Sequence, residues 1–104
     1  MFEENLIKRG LTPYQRFYMP YAEADVESLA ITYAQNGKEV LSKVKDDVVW
    51  DEEHIYVRLS QAETLSFAVG AASVDLRVRL TNGDVPGTYR YLFYVIDTNK
   101  DGEI

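Results

Sequence analysis

Asp97, Asn99 and Asp101, followed by Gly102, are the residues of this chain whose types and spacing come nearest to a known chemistry. Oxygen ligands at the first, third and fifth places with glycine at the sixth match the opening of an EF-hand calcium loop. Two features oppose that reading. The sequence carries no glutamate at the twelfth place, which supplies two of the calcium oxygens, and residues 89–96, which lead into the motif, alternate like a strand where a helix is required. The expectation is therefore an aspartate-rich turn, with no metal bound tightly.

His54 is the only histidine and there is no cysteine, so an ordinary zinc site cannot be assembled. Asp51, Glu52 and Glu53 beside it could complete a weak carboxylate site, but the same residues are natural turn formers. A hydrolase triad would need His54 as base and a serine in a sharp glycine-rich elbow, and no serine is so placed. Glu23 with Asp25, or Asp46 with Asp47, could be drawn as an acid–base pair. Among 17 acidic residues such pairs arise by chance, and catalysis needs a pocket and a perturbed pKa besides. The chain is expected not to be an enzyme and to need no cofactor.

Charge points the same way. The formal net charge is −6, which repels phosphate backbones unless a local basic stripe exists. Arg58, Arg77, Arg79 and Arg90, all on expected strands, are the candidates for such a stripe, with Asp75 set among them as a cross-strand charge partner. No nucleic-acid partner is expected. No run approaches the roughly 18 apolar residues of a membrane span, and the first residues carry acids where a signal peptide carries bases, so no membrane partner is expected either.

The elements that must position these groups are strands. Two Asn-Gly dipeptides, Asn36-Gly37 and Asn82-Gly83, lie between alternating apolar and polar runs. Asn-Gly takes the positive φ angles of a type I′ turn, whose twist suits an antiparallel hairpin. Seven strands are expected, near residues 14–19, 28–35, 39–45, 48–50, 54–59, 73–81 and 88–96, after a lead-in at 1–10. Pro13 and Pro20 bracket the first and suit an edge position, because proline donates no ladder hydrogen bond. Leu29, Ile31 and Tyr33 share one face of the second; Ile55, Val57 and Leu59 share one face of the fifth. Ser60-Gln61-Ala62-Glu63 is a capping box, so a short helix over 61–67 is expected to cross from one sheet to the other. The predicted fold is all-β, one immunoglobulin-like antiparallel sandwich over residues 1–104 with one short helical crossover.

The strand at 88–96 breaks the alternation. Tyr89, Tyr91, Phe93 and Val95 fall on one face and Leu92, Tyr94 and Ile96 on the other. Either it is central with both faces covered or its second face meets another subunit. Tyr89, Tyr91, Leu92, Tyr94 and Ile96 are therefore the interface candidates. A second aromatic group, Tyr14, Phe17, Tyr18 and Tyr21, would stack on sugar rings if exposed, which makes a carbohydrate-binding module the alternative function.

Several segments along the chain carry a resemblance: Arg9-Gly10-Leu11-Thr12-Pro13, residues 31–38 at the first hairpin, residues 57–65 around the capping box, residues 74–80, and the terminal Asp101-Gly102-Glu103-Ile104. In their order the chain resembles small structural proteins encoded by phages and prophages of Gram-positive bacteria. It is less closely similar to the N-terminal β domain of phage baseplate proteins. Residues 97–100 and Pro86-Gly87 depart from the pattern. The resemblance implies a virion structural or assembly role, with other phage structural proteins or a second copy as partners. It implies a location in the virion, or in the bacterial cytoplasm during assembly, and brings no active site with it.

Overall fold

The computed structural model describes residues 6–87 and 89–104, with Tyr89 described by its backbone alone. Among these residues eight strands form two sheets. β1 (Leu6–Lys8), β8 (Tyr89–Ile96), β7 (Gly70–Leu80), β3 (Val26–Gln35) and β4 (Lys38–Val44) lie in that order in the larger sheet. β2 (Tyr14–Tyr18), β6 (His54–Arg58) and β5 (Val48–Asp51) make the smaller one. The helix α1 (Gln61–Leu65) carries the chain from β6 to β7, from the small sheet to the large. The result is an immunoglobulin-like β sandwich.

Alternation places one side of each strand inward. Leu29, Ile31 and Tyr33 of β3, Ile55 and Val57 of β6, and Phe17 of β2 are buried between the sheets. At the centre Tyr33, Phe67 and Phe93 meet edge to face, with ring centroids 5.8–6.2 Å apart, the arrangement that the ring quadrupole favours. Gln15 is buried on the inner side of β2 and accepts a hydrogen bond from the Tyr33 hydroxyl. Burial, with the Glu63 charge adding to it, pushes the Tyr33 hydroxyl well above the ordinary tyrosine range, so it stays a donor.

The local signals act as expected at several points. Gln35 pairs with Lys38 across Asn36 and Gly37, whose φ values are 52° and 77°, the left-handed pair of a type I′ turn. The Ser60 hydroxyl accepts from the Glu63 N–H (3.1 Å) and the Glu63 carboxylate from the Ser60 N–H (2.8 Å), so the capping box is closed in both directions. β2, between its two prolines, is an edge strand.

Three expectations are corrected. The lead-in contains β1, which pairs parallel with β8 (Leu6 opposite Tyr94), so the sandwich is not wholly antiparallel; residues 1–5 of the lead-in lie outside the described residues. β7 and β8 are antiparallel neighbours and the chain turns tightly at Asn82-Gly83, with the Gly83 N–H donating to the Leu80 carbonyl (2.9 Å) and the Leu80 N–H to the Asp84 carbonyl (2.8 Å), but the turn is not of type I′. Gly83 has φ 93° while Asn82 is not left-handed; the Asn82 side chain instead accepts from the Asp84 N–H at 2.9 Å. Among the described residues the pairing of β7 with β8 runs from Gly70 opposite Val95 to Leu76 opposite Tyr89. The helix is also shorter than expected, closing at Leu65.

Candidate interaction surface

The sequence-level site candidates fall into three places. At the start of the aspartate-rich turn, Asp97 is already engaged. It accepts from Arg9 at 2.9 Å and from the Thr98 N–H at 2.9 Å. The same arginine donates to the carbonyls of Phe67 (2.9 Å) and Leu65 (3.2 Å), tying the end of α1 to the end of β8. The Thr98 N–H, then Arg9, hold the Asp97 carboxyl below the usual aspartate range. Asn99 and Asp101 are exposed beyond it. Among the described residues no group of three or more His, Cys, Asp or Glu is arranged to hold a metal ion.

The acidic pairs have structural employment. Asp51 and His54 close the β5–β6 hairpin, with Glu52 at φ 51° in its turn. Asp47 accepts from the Val44 N–H at 2.9 Å. Glu23 and Asp25 sit exposed on a single 3-10 turn. Glu63 lies 2.5 Å from Lys43. Partial burial pushes its carboxyl up, but the bonds from Lys43 and Ser60 outweigh that and hold it below the ordinary glutamate value.

The four arginines do not form one stripe. Arg77, Arg79 and Arg90 lie on the large sheet, whereas Arg58 lies on the small one. Arg79 pairs with Glu27 (3.3 Å) and Arg90 with Asp75 (4.0 Å), the cross-strand partnering expected of Asp75.

What remains is two broad outer faces. On the small sheet, Tyr14 opposes Arg58, Arg16 opposes Tyr56, and Tyr18 opposes His54. The Arg58 guanidinium stands 5.8 Å over the Tyr14 ring, and Tyr18 meets His54 edge to face at 6.1 Å. Tyr14 and Tyr18 are exposed, while Phe17 is buried and Tyr21 packs partly against the core.

On the large sheet, β8 sends Phe93 and Val95 into the core and Leu92, Tyr94 and Ile96 outward. Tyr91 lies on the inner side, its ring 6.0 Å from Phe17; the side chain of Tyr89 lies outside the described residues. Leu92 is 73% exposed, Tyr94 53%, Ile96 37% and Leu6, beside Tyr94 on β1, 51%. Of the two alternatives for this strand, cover on both faces is not met among the described residues, where the second face is exposed. Leu6 was missed in the sequence because a three-residue strand shows too little alternation to be recognised.

Next to this strip the sheet surface dips. Ala34 of β3, Ser73 of β7 and Leu92 of β8 follow one another across the strands. With Ala71 they line a shallow depression bounded by Arg90 and the Asn36-Gly37 turn. Small side chains in the middle of the sheet thus lie directly beside its most prominent apolar one.

No known protein-family profile matches the chain, and no curated protein sequence matches it. Among solved structures, the chain is similar to CopC from Methylosinus trichosporium OB3b, with a TM-score of 0.55 and 17% identity over 93% of this chain and 87% of that one. A second similar structure is the NK cell receptor Nkp44, with a TM-score of 0.49 and 12% identity over 92% and 99% of the two chains. The likeness to CopC is one of fold, and it agrees with the immunoglobulin-like sandwich built above.

Proposed function

We propose that this chain is a non-enzymatic structural or assembly protein of a phage or prophage particle, acting through protein–protein contacts. The observation that carries the reading is the strip of Leu6, Leu92, Tyr94 and Ile96 on the outer face of the large sheet. Adjacent apolar side chains held outward on a rigid sheet are solvated at a cost of about 25 cal/mol per Å², and a protein partner removes that cost. The resemblance along the chain supplies the virion context, with the particle, or the bacterial cytoplasm during its assembly, as the place of action. Among the described residues no helix is long and apolar enough to cross a membrane.

The test is to purify particles and assembly intermediates from a host carrying the gene and to look for the chain in them by mass spectrometry. Its presence in stoichiometric amount supports the reading; its absence from every particle fraction overturns it. The Leu92→Glu variant is expected to be lost from the particles while remaining folded in the lysate.

A second reading, a carbohydrate-binding module, is favoured by one observation. Tyr14 and Tyr18 are exposed on the same face of the small sheet with Tyr56 between them on the neighbouring strand. Rings so placed could stack on successive sugars. Retardation of the protein in gels containing soluble polysaccharides, abolished by Tyr14→Ala, would support it, and unaltered mobility in all of them would remove it.

A further inference from the structure

We infer that the partner for the outer face of the large sheet is a second copy of this chain, in a two-fold pair in which Leu92 of each copy enters the depression of the other. The inference rests on the reading of this face as a protein-contact surface and names its occupant.

An isologous interface requires one patch to carry both a feature and its complement. Here the prominent feature, Leu92, and the depression lined by Ala34, Ala71 and Ser73 are neighbours on one face. A two-fold axis lying in the interface, between Leu92 and the depression, brings each leucine over the other copy's small residues.

The charges also suit a second copy. Arg77, Arg79 and Arg90 share the surface with Glu39 and Asp75, and Glu27 reaches Arg79 from β3. Both signs are interspersed on one face, so each cation can meet an anion of the other copy. The outer face of the small sheet lacks this balance. Arg16, Arg58 and His54 alternate with tyrosines there, with Asp51 beside His54 at one end. Stacking the large face of one copy on the small face of the next would therefore give Arg77, Arg79 and Arg90 few anions to meet, a poorer match than two copies of the mixed face.

The area is adequate. Five strands spaced by about 4.8 Å, over roughly eight residues of about 3.3 Å each, span on the order of 600 Å² in plan. Side-chain relief brings this near the roughly 800 Å² per partner of a standard interface. The alanines and serine of β3 and β7 keep the middle of the face low enough for two sheets to approach to the usual spacing of about 10 Å.

Sedimentation equilibrium tests the pair. The wild-type chain should be dimeric at tens of micromolar, and Leu92→Glu and Ala71→Leu should each weaken the dimer by about 100-fold, as expected for a residue central to an interface. Both substitutions lie on the outer face, so the circular dichroism spectrum should not change. Because the chain has no cysteine, a single introduced thiol reports contact without removing the leucine. Ala71→Cys should cross-link to its own kind with a short bismaleimide, whereas Val49→Cys, on the small sheet, should not. A monomer at all concentrations up to about 1 mM, the weak end of specific association, overturns the pairing. So does a dimer indifferent to both substitutions, or one cross-linked through Val49→Cys and not Ala71→Cys. A monomer that still enters particles in a Leu92-dependent way refutes the second copy as occupant and leaves the contact surface standing.

Discussion

The two outer faces of this sandwich both carry aromatic or large apolar side chains, yet they are satisfied in different ways. On the small sheet two of the tyrosines have cross-strand partners within the chain: Arg58 stands over Tyr14, and His54 meets the edge of Tyr18. On the large sheet Leu92, Tyr94, Ile96 and Leu6 lie on one strip beside small side chains of β7, more than a third of each exposed. Exposure alone is ordinary on a protein surface. The difference lies in the partners, because a guanidinium stands over one face of the Tyr14 ring while Leu92 stands above the small side chains beside it. The second situation is the one that another molecule relieves.

The largest effect that sharpens this contrast comes from neighbouring residues of β8. Phe93→Ala removes a ring from the edge-to-face group with Tyr33 and Phe67 and should lower unfolding free energy by about 3–5 kcal/mol. Leu92→Ala, one residue away on the opposite face, should leave the stability of the isolated monomer within about 0.5 kcal/mol, as for an exposed surface site. Urea unfolding at a concentration well below any association measures both. A loss at Leu92 as large as that at Phe93 would mean that the outer face is packed within the chain.

Next in size is Arg9→Ala. Arg9 anchors the edge that carries Leu6 by bonding Phe67, Leu65 and Asp97 at once. Charge-assisted hydrogen bonds of this kind contribute about 1.5–3 kcal/mol, and that loss is expected in urea unfolding. Protection of the β1 and β8 amides from hydrogen exchange should fall more than that of β6, which the arginine does not touch.

A smaller effect probes the other face. A double-mutant cycle of Tyr14→Ala and Arg58→Ala should return a coupling of about 0.5–1 kcal/mol, the range of an exposed cation–π contact. A coupling of zero would remove the distinction between the two faces.

The smallest effect is on pH. The carboxyls of Glu63 and Asp97 both lie below their ordinary values in the folded chain. A depressed carboxyl contributes stability that is present above its unfolded pKa and is lost as pH falls through the folded one. The melting temperature should therefore hold near neutrality and decline below the ordinary carboxylate range near about pH 4. Lys43→Met should flatten part of that decline, whereas Arg58→Met, on the small-sheet face, should leave it in place.

Much of the architecture was legible in the residues, because it depends on local chemistry. Strand alternation marks Leu29, Ile31 and Tyr33 as one side of β3, Asn36-Gly37 can close a two-residue turn with both φ values positive, and Ser60 with Glu63 caps a helix three residues apart. The aspartates at 97 and 101 could be recognised as a spacing, but Asp97 answers to Arg9, 88 residues away in the chain. No local pattern contains that pair. The same limit explains why Arg58 appeared to belong with Arg77, Arg79 and Arg90, since only the division into two sheets separates them.

By itself, then, the sequence determined the kind of element at most positions and which side chains share a side. A period of two residues states that Leu92, Tyr94 and Ile96 point together and opposite to Phe93 and Val95. It does not state which side is inward, because both are apolar. The tertiary structure decided that: the small sheet and α1 lie on the Phe93 side, β1 joins the edge through a parallel pairing with β8, and nothing within the described residues lies over Leu92. Strand order and the choice of covered face are set by contacts between distant parts of the chain, where the energy belongs to a pair of surfaces and to neither segment alone.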